Sequence, residues 1–161
     1  MNQSLRKFLS GIAVAALAIL LPAVSAQPAP SIIGTWKLNV EKSKFNAAPA
    51  PKSQTVTFAN VGDALKVTSK INNADGTASE NEYTAKYDGK DVPLKGSAIA
   101  DSVSIKQIDP LTVLRTDKKG GKEVQTIKRE IAKDGKTFTA TVMGTNAKGK
   151  KVTSTLLFDR Q

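Results

Sequence analysis

The segment DGKTFTATV, residues 134–142, decides the fold class of this chain. Asp134-Gly135 predicts a hairpin turn, because both residue types tolerate the positive φ angles that tight turns need. After the turn, Phe138, Ala140 and Val142 alternate with threonines. A period of two over this length is the signature of a β-strand with one apolar face.

The same alternation runs from Ile32 to the end of the chain and gives nine candidate strands. From residue 120 to residue 149 the turn signals recur about every 14 residues, which favours an up-and-down antiparallel meander. Strands with one apolar face must close into a sandwich or a barrel. We expect a barrel, because sandwiches usually need long crossovers and only residues 47–53 and 92–101 offer candidates.

The face opposite Trp36 argues against a barrel that spans a membrane. Lipid-facing positions would be apolar and flanked by aromatic girdles, and a charge at the midplane costs roughly 2–4 kcal/mol. Aromatic residues make up only 5% of the chain. The face opposite Trp36 instead carries Lys37, Lys66, Lys70, Glu82, Lys86 and Lys106. The sequence therefore predicts an all-β, soluble, antiparallel meander barrel of about 8–10 strands.

An export signal is predicted over residues 1–26. Arg6 and Lys7 precede an apolar run, residues 8–21, which is shorter than the roughly 20 residues needed to span a bilayer. Pro22 ends the run, and the small residues of Val24-Ser25-Ala26 predict cleavage after Ala26. We expect a flexible tether over residues 27–31, a barrel domain over residues 32–161, and a periplasmic or secreted protein.

The composition excludes several kinds of catalytic and metal-binding chemistry. The chain has no cysteine and no histidine, which excludes disulfides, a thiol nucleophile, a Ser-His-Asp triad and histidine-ligated zinc or haem. We therefore expect no enzyme, no catalytic residue, no metal and no cofactor. Loss of Arg6 and Lys7 with the signal lowers the formal charge from +10 to +8, which favours anionic partners such as an envelope surface. Export argues against nucleic acid, and we expect a monomer.

The motif Gly34-Thr35-Trp36 at the head of the first strand resembles the lipocalin and wider calycin pattern. Residues 33–161 also resemble small exported bacterial proteins of lipocalin-like type, with the turn Tyr-Asp-Gly-Lys at 87–90 and the ending Phe-Asp-Arg at 158–160. Those proteins lack an assigned activity. The resemblance implies that Trp36 closes the barrel floor against Arg160, although vertebrate lipocalins usually add a disulfide and a C-terminal helix, which are missing here. Without the resemblance, Trp36 is an ordinary core residue and Arg160 a solvated terminus.

Two sets of side chains are candidate sites. If Tyr83 and Tyr87 point inward, their hydroxyl groups orient a ligand, with Phe58 and Phe138 lining the same cavity; if outward, the tyrosines are cross-strand packing partners. The second set is a basic rim of lysines in two turns of the chain. One turn, at Asp134-Gly135, lies between them, and alternate turns of a meander fall at the same end, so we expect both groups of lysines at one end of the barrel. Lysines there either attract anions or keep strand edges from pairing. The rim comprises Lys118, Lys119, Lys122, Lys148, Lys150 and Lys151.

These features favour two functions over a third, an enzyme, which is the weakest because histidine and cysteine are missing. The first is binding of a small, mainly apolar ligand inside the barrel. The alternative is a packed structural or interaction module that holds no ligand and meets an anionic surface through its basic rim. The barrel interior distinguishes them, because a ligand-sized void supports binding whereas a filled interior supports the packed module.

Overall fold

The computed structural model describes residues 30–146 and 148–161. The predicted signal segment and its cleavage site after Ala26 lie outside the described residues. Within those residues the fold is all-β, and ten strands form a single sheet. They are β1 (Gly34–Lys44), β2 (Ser53–Val61), β3 (Ala64–Asn72), β4 (Ala78–Ala85), β5 (Val92–Pro93), β6 (Ser102–Asp109), β7 (Thr112–Lys119), β8 (Lys122–Ile131), β9 (Thr137–Thr145) and β10 (Lys151–Arg160).

The sheet is the predicted up-and-down meander, since the strands pair antiparallel with their neighbours in the chain. The first strand also pairs with the last, and Trp36 lies opposite Arg160 in that register. The structure has one strand more than the nine expected, because β5 is too short to show alternation. It lies in the 92–101 segment and pairs with the start of β6.

A seam between β4 and the β5–β6 region completes the barrel. There the main chains of Glu82 and Lys95 exchange hydrogen bonds at 3.1 and 3.0 Å. Nearer the Trp36 end, the Gly89 amide donates to the Ile105 carbonyl at 3.0 Å. The barrel is thus nearly closed, with a seam that has few hydrogen bonds compared with the ladders elsewhere.

An aromatic cluster fills one end of the barrel, which we call the floor. Trp36 is fully buried, and its Nε1 donates to the Ile32 carbonyl at 2.7 Å. The ring of Phe138 stacks on Phe158 at 4.5 Å between centroids and meets Trp36 edge-on at 5.0 Å. Phe58 meets Phe138 edge-on at 5.9 Å. These geometries are favoured ones for aromatic pairs, so the floor is a closely packed core.

The outer face carries charges in pairs. Lys66 lies 2.8 Å from Glu82 across neighbouring strands, and Lys86 lies 2.6 Å from Asp63. Both pairs are partly or largely exposed, so each adds little to stability. No helix in the part of the chain described here has the length and apolarity needed to cross a membrane.

Candidate functional site

A cavity of about 530 Å³ occupies the barrel above the floor. Phe138 and Phe158 form its base, and inward side chains such as Val142, Ile127 and Ile71 form its wall. It reaches the loops at the far end of the barrel, which we call the mouth. The mouth loops are residues 45–51 and 96–99. Period-two alternation builds this wall, because every second residue of a barrel strand points inward.

The first mouth loop is tied to the last strand. The Oγ of buried Ser154 accepts hydrogen bonds from the amides of Asn46 at 2.9 Å and Ala47 at 3.2 Å. The side-chain amide of Asn46 donates to the Thr153 carbonyl at 2.7 Å. Pro49 and Pro51 follow and line the cavity with apolar surface. The loop therefore lies at the barrel end with its backbone held by β10.

The wall also contains a buried ion pair. Arg115 and Asp117 lie two residues apart on β7, so they share the inward face. Arg115 donates from Nε and Nη2 to the two carboxylate oxygens at 2.5 and 3.0 Å, and Gln125 donates to the same carboxylate at 2.7 Å. Burial disfavours the guanidinium charge, but Tyr83 and Asp117 outweigh it, and the pKa of Arg115 lies above its ordinary value. This pair is internally neutral.

A second buried arginine, Arg129 on β8, differs from Arg115 because no carboxylate of the described residues is paired with it. It is only 6% exposed and lines the cavity. Its Nη1 donates to the Tyr83 hydroxyl at 3.1 Å, and its guanidinium carbon lies 5.3 Å from the Phe58 ring centroid. Among the described residues it forms no salt bridge. One full positive charge therefore faces the interior of the barrel.

The four residues predicted to line the cavity are placed differently from one another. Phe138 lies in the cavity wall. Tyr83 is buried on the inward face, but it lies behind Arg129 and Arg115, whose guanidinium carbon is 4.9 Å from the tyrosine ring centroid. Phe58 lies in the floor cluster beneath Arg129, outside the cavity wall.

The fourth of these residues, Tyr87, also lies outside the cavity wall. Its side chain is partly buried and packs against the core. Burial raises the pKa of Tyr87, Tyr83 raises it further, and Arg129 opposes the shift. Neither tyrosine hydroxyl therefore belongs to the wall that a ligand in this cavity would touch.

At the floor, Arg160 lies over Trp36 with its guanidinium carbon 4.1 Å from the ring centroid. Its Nε donates to the Gly135 carbonyl at 2.7 Å and its Nη1 to the Ile33 carbonyl at 2.8 Å. Gly34 has a φ of +127°, and a Cβ there would lie 2.9 Å from Arg160 Nη1. A side chain at position 34 would displace the guanidinium.

The six lysines of the basic rim lie at the mouth end. The turn at Gly135 is at the floor, where Arg160 binds it, so the turns before and after it in the meander lie at the opposite end. Lys118 is bound to Asp91 at 2.8 Å, and the other five lysines are exposed. The rim thus surrounds part of the cavity mouth with positive charge.

Sequence reasoning missed the charged residues of the wall, which are Arg115, Asp117 and Arg129, and also Gln125, which binds Asp117. A signal for Arg129 was present, because it shares a period-two face with Ile127 and Ile131 on β8. Arg115 likewise shares a face with Val113 on β7. When a charged residue stands at a position of the apolar face of an alternating strand, its charge is expected to be buried.

The fold and the site together define a ten-stranded antiparallel β-barrel with an internal, partly charged cavity. Neither a model of a known protein family nor a curated protein matches this sequence. In residues 30–146 and 148–161, no group of three or more acidic, histidine or cysteine side chains is arranged to hold a metal ion.

Proposed function

We propose that this protein is exported and binds a small, mainly apolar ligand inside its barrel, as a monomer and without catalysing a reaction. The cavity is the observation that carries the proposal. Its volume of about 530 Å³ falls within the range of roughly 300–1,000 Å³ typical of small-molecule sites. Its wall combines apolar surface with charged and neutral polar side chains, such as Arg129, Asp117, Gln54 and Asn81. Small-molecule sites likewise place polar groups among apolar ones.

The alternative of a packed module requires a filled interior. The floor is packed in that way around Phe138, but the space between Arg129 and the mouth loops is not. The space opens at the mouth loops, so a small molecule can enter it. An open space of this size above the packed floor favours ligand binding over the packed module.

Blocking the cavity tests the proposal. The wild-type protein is expected to bind the neutral apolar dye N-phenylnaphthylamine with micromolar affinity. Val142 lies in the cavity wall on β9, and Val142→Trp fills the space above Phe138. We expect this variant to bind the dye at least about tenfold more weakly, measured by fluorescence titration.

The matched control is Thr141→Trp, one position earlier on β9 and pointing to the opposite face. It adds the same side chain without entering the cavity, so its affinity is expected to stay close to that of the wild type. Equal dye binding by both variants, or no binding by the wild type, contradicts the proposal. Native mass spectrometry of protein from its own cell envelope adds two readouts: co-purified ligand, and an N-terminus at Gln27 if export is correct.

A further inference from the structure

The charge inside the barrel points to the chemistry of the ligand. Arg115 and Arg129 both line the cavity, and Asp117 is the only buried carboxylate beside them among the described residues. Asp117 is already bound by both Arg115 and Gln125. The interior therefore holds two cations and one anion. Buried charges in proteins are normally paired, because an isolated one forfeits its hydration.

The donors of Arg129 are available on the cavity side. A guanidinium carries five N–H donors, and the described contacts use one of them, on the Tyr83 hydroxyl. Every side-chain nitrogen of the described residues either has a hydrogen-bond partner or is accessible to solvent. Arg129 is more than nine-tenths buried and lines the cavity. The small accessible surface of its other nitrogens therefore lies on the cavity side.

The position of Arg129 sets the orientation of a ligand. On β8 it lies next to Ala140 of β9, just above the Phe138 floor. On β8 and β9 the wall toward the mouth is apolar at Ile127 and Val142, and Ile99 and Pro49 follow at the loops, whereas polar side chains such as Ser69 and Asn81 line the β3–β4 side. An anionic group at Arg129 would thus lie deep in the barrel, with an apolar chain extending outward.

We propose that the ligand is an amphipathic anion whose carboxylate or phosphate group is bound by Arg129 at the base of the cavity, with its apolar chain against the wall toward the mouth. This rests on the proposed function and specifies its ligand class. A guanidinium fork fits either oxyanion in a bidentate manner. The exposed lysines of the basic rim raise the local concentration of such anions at the mouth.

The test compares ligands with the same chain and different head groups. Decanoate, decyl phosphate and the neutral decanol are titrated into the wild-type protein by calorimetry. At least one of the anions is expected to bind about 10- to 100-fold more tightly than decanol, the range for a charge-assisted hydrogen-bonded head group. Which of the two anions binds more tightly distinguishes a fatty acid from a phosphate-bearing lipid.

The variant Arg129→Met keeps a long side chain and removes the charge. It is expected to abolish the preference for the anions and to leave decanol binding within about threefold of the wild type. The control Lys128→Met removes the same charge from the next residue of β8, whose side chain is paired with Glu130 outside the cavity. It is expected to retain the preference, which excludes an effect of net charge.

The outcomes separate this inference from the proposed function. Equal affinity for decanol and both anions overturns the inference while ligand binding stands. Failure of all three ligands and of the dye to bind overturns both. A preference for anions that survives Arg129→Met overturns the assignment of the head group to Arg129.

A measurement on the wild-type protein decides the question if Arg129→Met does not fold. The charged and titratable groups around the proposed head-group position are Arg129 of β8, Arg115 and Asp117 of β7, Tyr83 of β4, and Tyr87, which follows β4. Beside Arg129, the carboxyl of bound ¹³C-labelled decanoate is expected to take up its proton at lower pH than free decanoate. Protonation at higher pH, as apolar burial alone would cause, overturns the inference.

Discussion

At the scale of single residues, Arg160 shows how one side chain joins distant segments. Its guanidinium donates to the carbonyls of Ser31, Ile33 and Gly135 and also covers the Trp36 ring. The entry to β1, the β8–β9 turn and the end of β10 therefore meet at one planar group. A planar fork with five donors suits this position, whereas a single ammonium group does not.

The substitution Arg160→Lys tests this role while keeping the charge. Lysine cannot stack on Trp36 and reach three separate carbonyls, so we expect unfolding free energy to fall by about 1–3 kcal/mol. Urea denaturation followed by the fluorescence of Trp36 measures the change. An unchanged midpoint and slope would mean that the floor is held by the aromatic cluster alone.

At the scale of elements, the seam between β4 and β5 is the least paired part of the barrel. Its closest approach is at Gly96, which follows the Glu82–Lys95 bridge. A Cβ on Gly96 would lie 1.9 Å from the Glu80 carbonyl oxygen, so only glycine allows the two backbones to meet here. The residue also has a φ of +75° and lines the cavity.

Gly96→Ala is expected to open this seam. Gly121→Ala is its control, because Gly121 lies in the β7–β8 turn away from the seam, has a nearly equal φ of +77°, and a Cβ there would meet no atom within 4 Å. We expect the control to lose about 1–2 kcal/mol from backbone strain and Gly96→Ala a further 1–3 kcal/mol or so from the clash. Chemical denaturation gives both values, and equal losses would contradict a close approach at Gly96.

At the scale of the whole molecule, the barrel is a ring of strands in chain order. The ends of this ring meet, since the Gln161 amide donates to the Thr35 carbonyl at 2.9 Å. Closure of the ring needs both the β1–β10 ladder, which joins the two ends of the described chain, and the seam between β4 and the β5–β6 region. Such pairing between distant segments makes closure a property of the whole sheet.

A circular permutant tests this description. A short flexible linker would join Gln161 to Ser31, and new termini would lie between Gly120 and Gly121, an exposed turn at the mouth. Because every ladder is retained, we expect cooperative unfolding and dye binding within about threefold of the unpermuted chain. Loss of cooperative unfolding would show that the β7–β8 turn is needed to form the sheet.

The all-β class and the antiparallel meander could be predicted from the amino-acid order alone. Alternation at Phe138, Ala140 and Val142 and turns such as Asp134-Gly135 are local features, and local features fix strand faces and chain reversals. The contact between Trp36 and Arg160 was implied only by the resemblance of Gly34-Thr35-Trp36 to the lipocalin pattern, not by alternation or turn signals. The short strand β5 was missed, because two residues are too few for a period to appear.

The contents of the barrel, in contrast, depended on the three-dimensional arrangement of the strands. Closure of the sheet sets the distances between inward side chains that are far apart in the chain. These distances decide whether the side chains fill the interior or leave a cavity. Tyr83 and Arg129, separated by 46 positions, form one hydrogen bond, and Arg129 lines the cavity whereas Tyr83 does not. The same closure leaves Arg129 facing the cavity, and no carboxylate of the described residues forms a salt bridge with it. No local pattern encodes this, because it arises from which strands face one another across the barrel.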